Sequence, residues 1–274
     1  MNHLIEKYNV SVPRYTSYPT MPFWQTEGFT KEKWMLNVRK TFQQENKLSI
    51  YIHLPYCESL CTFCACHKRI TRNHAYEEPY IDAVLREWKM YLDCFGEAPE
   101  IEEIHLGGGT PHFFFRRKTW KGLSAQSWKL RRFPPYHEFS FEGHPNNTTF
   151  EHLQTLYRLG FRRVSFGVQD YDPAVQQAIH RVQPFENVQN VTRWAKELGY
   201  TSVSHDLVFG LPFQTLEGFT DTVRQTLSLS PDRLSPVLLC ACPLDQRNRT
   251  KGLQRRKPAR PGRQKKAYEP RGHL

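Results

Sequence analysis

Short apolar runs that read as strands alternate with helical runs through the middle of this 274-residue chain. The strand-like runs are SIYIHLP, EIHLGGGTP, EFSFEGHP, RRVSFGVQD, SVSHDLVFGLP and RLSPVLL. Apolar residues recur at helical spacing between them, notably over residues 76–92, 185–198 and 216–227. Such alternation predicts a parallel sheet with helical crossovers, and polar or glycine residues end the strands where (β/α) barrels build active sites. We therefore predict an α/β fold, an open or partial TIM-like barrel of about six βα units.

Composition and the termini set broad limits on the kind of protein. Hydrophobic residues make up 39% of the chain, enough for a substantial core. No apolar run approaches the roughly 18 residues of a membrane span. The opening MNHLIEKYNV lacks a secretory apolar stretch. We expect a cytoplasmic protein with no membrane association, and in a reducing compartment clustered cysteines more often bind metal or do chemistry than form disulfides.

Four of the seven cysteines lie within ten residues, in the segment CESLCTFCAC. They are Cys57, Cys61, Cys64 and Cys66. Disulfides between such close neighbours would be strained, and a structural zinc site usually takes two separated ligand pairs. Three thiolates on one tight loop suit an iron–sulfur cluster, in which three ligands for four irons leave one iron open to chelate a substrate. Zinc and chemically inert cysteines remain the alternatives.

The order of motifs resembles one known family. The spacing C-x3-C-x2-C after a first strand is similar to the signature of radical S-adenosylmethionine (SAM) enzymes. Four further features narrow this resemblance to one family within the radical SAM enzymes. They are the cysteine at position 66, the aromatic at position 63, the segment YIHLPYC, and PRYTSYPT at Pro13–Thr20. With LGGGTP, FEGHPN, GVQD, IHRVQ and DLVFGLP in order, these motifs resemble the oxygen-independent coproporphyrinogen III oxidases over residues 3–235, apart from 112–136. The related heme-chaperone branch, which usually lacks the fourth cysteine, is the alternative.

The resemblance implies a [4Fe–4S] cluster and two SAM molecules as cofactors. Residue by residue, the expected cluster ligands are Cys57, Cys61 and Cys64; the expected contacts of the first SAM are Tyr51, Gly108 and Glu142; those of the second are Phe63, Gly109, Thr110, Gln169, Arg181 and Asp206. Cys66, near the cluster but not a ligand, and Tyr51 are the expected catalytic residues. The open iron would bind the amino and carboxylate groups of the first SAM.

Each of these residues also has an ordinary structural explanation. Cys66 would be a buried small hydrophobe and Tyr51 a barrel aromatic. The glycines would form a strand-to-helix turn, and Glu142 would cap a helix. Gln169, Arg181 and Asp206 would take part in surface or interhelical salt bridges. We interpret His53, His105 and His205 as core or lining histidines and not as metal ligands.

The reaction implied by the resemblance is the oxidative decarboxylation of two propionates of coproporphyrinogen III to vinyl groups. The product would be protoporphyrinogen IX, an intermediate of heme biosynthesis. The expected partners are this porphyrinogen and an unidentified electron donor, and we expect a monomer.

Two segments depart from the family pattern, and both are strongly basic. Residues 112–136 hold 7 Lys/Arg and no acid, and residues 236–274 hold 11 Lys/Arg and 2 Asp/Glu. These surpluses exceed the net charge of +11, so the rest of the chain carries about −5. The basic character therefore lies in two patches and not in the rest of the fold, which argues against a nucleic-acid partner. The alternative is that the tail is a disordered basic extension that binds nucleic acid.

A shifted reading frame explains the basic tail. Codons can be chosen for Val237–Ala259 that, read one base later, give a string similar to the family's continuation. We divide the chain into an N-terminal arm (1–45), a radical SAM partial barrel (46–235) and an out-of-frame, disordered tail (236–274), with 112–136 as a second out-of-frame excursion. The family's C-terminal domain would be missing, and its alanine contact to the second SAM would read Cys240. We therefore predict that this chain has little or no oxidase activity.

Overall fold

The computed structural model describes residues 3, 7, 20, 23–25, 27–110 and 136–239. The chain divides into two compact units, Met1–Glu45 and Asn46–Leu274. Within the first unit a helix, α1 (Lys31–Gln44), begins at Thr30, whose side chain accepts a hydrogen bond from the amide of Lys33. The PRYTSYPT motif lies outside the described residues except for Thr20.

The second unit is an α/β fold. Its elements in chain order are β1 (Lys47–Leu54), β2 (Tyr56–Cys57), β3 (Arg69–Ile70), a 3-10 turn (His74–Tyr76), α2 (Glu77–Phe95), β4 (Glu100–Gly108), β5 (Glu138–Gly143), α3 (Phe150–Arg158), β6 (Arg163–Gln169), α4 (Pro173–Ala178), α5 (Phe185–Leu198), β7 (Ser202–Phe209), α6 (Leu216–Ser228) and β8 (Arg233–Leu238). Six strands form one sheet in the order β1-β4-β5-β6-β7-β8, and every neighbouring pair is parallel. The predicted parallel sheet is confirmed, and so are its helical crossovers wherever the connection between strands lies in the described residues.

Side chains alternate between the two faces of the sheet, and the two faces differ in chemistry. One face carries buried apolar side chains, such as Leu106, Phe141 and Phe166, which pack with helix residues, such as Leu156 and Val191, into the main core. Burial of this face fixes the register of the strands, because a one-residue slip would turn the apolar set toward solvent. The opposite face is lined by polar side chains and is described below as the polar face.

The last strand corrects one predicted boundary. Pro236, Val237 and Leu238 pair with Leu207, Val208 and Phe209 of β7, so β8 continues three residues past the boundary that we placed after Ser235. The apolar sequence VLL is sufficient for a strand here, whatever reading frame produced it. The atypical segment lies outside the described residues apart from Tyr136, and so does the tail from Cys240 onward.

No helix in the described parts of the chain has both the length and the apolar character needed to cross a membrane.

Candidate functional site

The cysteine loop is fastened at both ends to the carboxyl edge of the sheet. The amide of Gly109 donates to the carbonyl of Leu54 (2.8 Å) and that of Thr110 to the carbonyl of Tyr56 (2.8 Å). On the far side of the loop, Thr71 N donates to Cys57 O (2.9 Å) as β2 and β3 pair in parallel. Because the end of β4 holds the end of β1, the loop starts from a fixed backbone position.

The thiols of this loop lie in a partly buried, polar environment. Cys57, Cys61 and Cys64 are partly buried, and the hydroxyl of Thr110 donates to Cys57 Sγ (3.6 Å). Burial raises the pKa of the Cys57 thiol. A hydrogen bond between the thiols of Cys64 and Cys66 lowers the pKa of Cys64 and raises that of Cys66. Cys66 is exposed, so its alternative as a buried small hydrophobe is wrong.

The thiols of this loop form a donor set of the kind that an iron–sulfur cluster takes. In the described ranges, no group of three or more His, Cys, Asp or Glu side chains converges on a point where one metal ion would be held. Each thiolate of a four-iron cluster binds a different iron. Lys68 Nζ also donates to the carbonyls of Cys64 (2.7 Å) and Cys66 (3.1 Å), which holds the second half of the loop. The donor set therefore fits an iron–sulfur cluster on Cys57, Cys61 and Cys64.

The glycines at the end of β4 leave no room for side chains. A Cβ on Gly108, whose φ is +108°, would lie 2.4 Å from a carbon of the His53 ring. A Cβ on Gly109 would lie 2.6 Å from the carbonyl oxygens of both Leu54 and Tyr56. These glycines permit close approach of two backbones, so the interpretation as a plain turn is incomplete.

A chain of polar contacts crosses the polar face below the cysteine loop. The Tyr51 hydroxyl, whose residue is 56% exposed, donates to His53 Nδ1 (3.0 Å), and the Tyr51 ring stacks on His105 with centroids 5.8 Å apart. His105 contacts Ser140 Oγ through Nδ1 (2.7 Å) and lies 3.6 Å from Glu142 Oε1 through Nε2. Tyr51, His53 and His105 therefore line the face on which the cysteine loop opens.

Glu142 lies at the end of β5 and does not cap a helix, so that alternative is wrong. Its Oε2 accepts a hydrogen bond from the amide of Gly108 (3.2 Å). Burial would raise its pKa, but the contacts of His105 and the Gly108 amide outweigh burial and hold the pKa below the ordinary value. Glu142 is thus an ionised carboxylate beside the glycine strand.

Arg181 and Gln169, which the sequence places far from the cysteine loop, meet at Gly167. Arg181 Nη2 donates to Gly167 O (2.6 Å), and Nη1 lies 3.7 Å from Cys61 Sγ. Gln169 has a φ of +70° at a register shift between β6 and β7, and its side-chain nitrogen would lie 2.6 Å from a Cβ on Gly167. Arg181 therefore contacts the cysteine loop, and Gln169 lies beside Gly167, the residue whose carbonyl Arg181 also contacts.

Asp206 and Phe63 occupy different surroundings. Asp206 is on the polar face, where Ser165 Oγ donates to its Oδ1 (2.7 Å) and burial raises its pKa. Its hydrogen-bond partner in the described part of the chain is a serine hydroxyl, and the positive charge of Arg181 acts against the effect of burial on its pKa. Phe63 packs against the small apolar cluster of Val175, Ile179, Val208 and Leu211.

His205 is a core residue. It is fully buried on the apolar face, and its Nε2 contacts Thr192 Oγ1 of α5 (2.9 Å). Burial lowers its pKa to about 4. The interpretation of the three strand histidines as core or lining residues is confirmed, with His205 in the core.

A cavity of about 150 Å³ lies beside the cysteine loop, between the loops that follow β4, β5 and β6. Its polar lining includes Glu58, Arg72, Thr110, His144, His180 and Arg181. Of these, only Thr110 and Arg181 were predicted site residues. His144 and His180 lie within the motifs FEGHPN and IHRVQ, and Arg72 lies in no quoted motif; neither the motifs nor their spacing show that the three residues share a cavity, which only the fold does.

A parallel sheet that carries three thiols at the carboxyl end of its first strand, next to a glycine strand, defines the class of this protein. A family model described as the radical SAM superfamily matches residues 51–226. The chain belongs to the radical SAM superfamily, whose cofactors are a [4Fe–4S] cluster and SAM.

Several relatives and a solved structure with high similarity to this chain carry the name coproporphyrinogen III oxidase. The chain is 40% identical over 231 residues to the oxygen-independent coproporphyrinogen III oxidase of Helicobacter pylori strain J99, covering 84% of this chain and 50% of the relative. The Escherichia coli K12 protein of the same name is 37% identical over 233 residues, covering 85% and 50%. The solved structure of coproporphyrinogen III oxidase (HemN) from Escherichia coli matches with a TM-score of 0.78 and 33% identity, covering 88% and 53%. The chain spans about half the length of the curated relatives it matches.

Proposed function

We propose that the protein acts in the oxygen-independent oxidation of coproporphyrinogen III to protoporphyrinogen IX, in heme biosynthesis. The observation that carries the proposal is the 33–40% identity, over 84–85% of this chain, to relatives named for that activity. The exposed fourth thiol of Cys66 beside the cluster loop supports this over the heme-chaperone branch.

In this proposal Cys57, Cys61 and Cys64 hold the cluster, and Tyr51, Gly108 and Glu142 contact the SAM bound to it. When bound there, the cluster and SAM would supply the one-electron radical chemistry that removes a hydrogen atom from the β-carbon of a propionate. Glu142 is suited to accept a hydrogen bond from this SAM, since its carboxylate is ionised and already fixed by the Gly108 amide. Gly108 and Gly109 allow the ligand to reach the backbone.

The substrate-side roles fall to the residues on the polar face. Each propionate would become a vinyl group by losing the hydrogen atom, CO2 and one electron, and that electron would pass to a separate one-electron acceptor. Tyr51 and Cys66 are the proposed catalytic residues, since both are exposed on or beside the face that the porphyrinogen would meet. Phe63, Gly109, Thr110, Gln169, Arg181 and Asp206 are the proposed contacts of a second SAM. The electron that reduces the cluster comes from a separate donor, and the working unit is a monomer.

Cluster formation is the first test. Anaerobic reconstitution with iron and sulfide is expected to give about four irons per chain, and Cys57→Ala is expected to lose the cluster. Cys94→Ala is the matched control, because Cys94 is a buried thiol on α2 outside the cluster loop. Stoichiometric zinc without sulfide, or equal iron in the two variants, would contradict the proposal.

Turnover is the second test, and it uses two proteins. One is the 274-residue chain; the other carries family-type sequence in place of residues 112–136 and 236–274. We expect the second to convert coproporphyrinogen III anaerobically with SAM and a reductant, and the first to do so weakly. Heme binding without porphyrinogen turnover would favour the chaperone. Salt-dependent nucleic-acid retention that survives deletion of residues 240–274 would favour a binding surface on the fold.

A further inference from the structure

Arg181 has a geometry that its proposed role as a contact of the second SAM does not explain. Its guanidinium touches the sulfur of a cluster cysteine, with Nη1 3.7 Å from Cys61 Sγ, although 120 residues separate the two. Nη2 is held by the carbonyl of Gly167 (2.6 Å), which fixes the plane of the group. Nε is buried and has no hydrogen-bond partner within the described part of the chain. Nη2 thus fixes the guanidinium, Nη1 faces the sulfur of Cys61, and Nε makes no hydrogen bond within the described part of the chain.

A guanidinium beside a cluster thiolate has a defined electrostatic consequence. Arginine stays charged at any working pH. Reduction adds negative charge to a cluster, and a fixed positive charge or a hydrogen bond to a coordinating sulfur stabilises that added charge. Arg181 beside Cys61 is therefore expected to raise the reduction potential.

The same guanidinium also lines the cavity beside the loop. The lining contributes two guanidinium groups, from Arg72 and Arg181, against one carboxylate, from Glu58, and it adds the imidazoles of His144 and His180. A planar guanidinium that lines a cavity can donate hydrogen bonds to a carboxylate bound there. A carboxylate in this cavity would meet a side chain that already contacts the cluster ligand.

Thr110 repeats this arrangement with a different cysteine. It lines the cavity and donates to Cys57 Sγ (3.6 Å). Two lining residues thus each contact a different cluster cysteine. A ligand bound in the cavity would therefore contact Arg181 and Thr110, the side chains that contact the sulfur atoms of Cys61 and Cys57.

We propose that Arg181 sets the reduction potential of the cluster through Cys61, and that a carboxylate bound in the neighbouring cavity shares its guanidinium and shifts that potential to more negative values. The inference rests on the proposed function, because it requires the cluster. Two sources supply such a carboxylate: the methionine part of a second SAM, or a propionate of the porphyrinogen.

The test is a spectroelectrochemical titration of the reconstituted 274-residue chain. We expect a more negative potential in Arg181→Gln than in the wild type and an intermediate value in Arg181→Lys, which keeps the charge but loses the fork. Arg224→Gln is the matched control, since Arg224 is exposed on α6 and paired with Asp221, and its potential should equal that of the wild type. Equal potentials in wild type and Arg181→Gln would overturn the proposal.

The carboxylate arm uses methionine and coproporphyrin III as separate probes. A negative shift with one probe, present in the wild type and reduced in Arg181→Gln, identifies the source. Any effect exerted directly at the open iron persists in the variant and is subtracted. A wild-type potential insensitive to both probes would overturn the coupling. If Arg181→Gln fails to hold a cluster, Arg181→Lys takes its place in both arms, with a smaller expected difference from the wild type. Failure of the wild type to form a cluster would instead refute the proposed function.

Discussion

The close approach of β4 to the start of the cysteine loop makes Gly109→Ala a sensitive perturbation. The new Cβ would lie 2.6 Å from two carbonyl oxygens, those of Leu54 and Tyr56, and 2.9 Å from the carbonyl carbon of Pro55. Real Cβ atoms essentially never lie closer than 3.0 Å to such atoms, so each oxygen would have to withdraw by at least 0.4 Å. All three neighbours are backbone atoms, so no side-chain rotation relieves the contact.

The expected cost follows from overpacking and lost hydrogen bonds. Overpacking of a tight site costs about 1–3 kcal/mol. The withdrawal also weakens the bonds from Gly109 N to Leu54 O and from Thr110 N to Tyr56 O, each worth about 1 kcal/mol. We expect the free energy of unfolding to fall by about 3 kcal/mol, which at an m-value of about 3 kcal/mol/M lowers the urea midpoint by about 1 M. Because the displaced backbone is the root of the cluster loop, cluster retention should fall as well.

Urea denaturation followed by circular dichroism, with iron content measured in parallel, checks this expectation. Gly96→Ala is the control, because Gly96 ends α2 at a φ of +79° and a Cβ there would meet nothing within 4 Å. It isolates the cost of left-handed backbone, about 1 kcal/mol, and should leave the cluster intact. A Gly109→Ala chain as stable and as iron-rich as the wild type would refute the reasoning.

Three further changes test the fold that positions the site. Burial lowers the pKa of His205 to about 4 from an ordinary 6.5, so as the pH falls this histidine is protonated in the unfolded chain before it is protonated in the folded one. Its contribution to the free energy of unfolding, about 3 kcal/mol, is therefore complete above pH 6.5 and lost as the pH falls toward 4. His205→Gln should remove that part of the pH dependence, measured as the wild-type-minus-variant difference in unfolding free energy; a constant difference would contradict it. Asp170→Ala should cost about 3 kcal/mol, because the buried carboxylate accepts from Gln214, Thr222 and the Asp172 amide, and a loss under 1 kcal/mol in urea denaturation would contradict that value. Thr149→Ala should cost about 1 kcal/mol by removing the N-cap of α3, seen as a lower thermal midpoint, and an unchanged midpoint would exclude a capping role.

The strands and most helices could be predicted because their signals are local. The predicted helix over residues 185–198 coincides with α5, and the predicted helix from Tyr76 corresponds to α2 at Glu77–Phe95. The cysteine loop and glycine strand were placed correctly because parallel strands bring their carboxyl ends to one edge. The short helix α4 was missed, since six residues are too few to show a helical period.

The contacts within the site could not be predicted from sequence patterns. Arg181 reaches Cys61 only because the loop after α4 returns across the carboxyl edge of the sheet, where Thr62 N donates to Ile179 O (3.1 Å). The lining of the cavity by Arg72 and His144 likewise needs loops from distant strands to converge. Local propensity carries no information about such convergence, whereas the sheet order determines it.

The central claim is that three cysteines hold a four-iron cluster with one iron left open for SAM. The most direct measurement is Mössbauer spectroscopy of the 274-residue chain reconstituted with iron-57, recorded with and without SAM. We expect about a quarter of the iron to change its spectrum when SAM is added, while the other three sites keep thiolate-bound parameters. A spectrum unaltered by SAM, or iron that never assembles into a cluster, would contradict the claim.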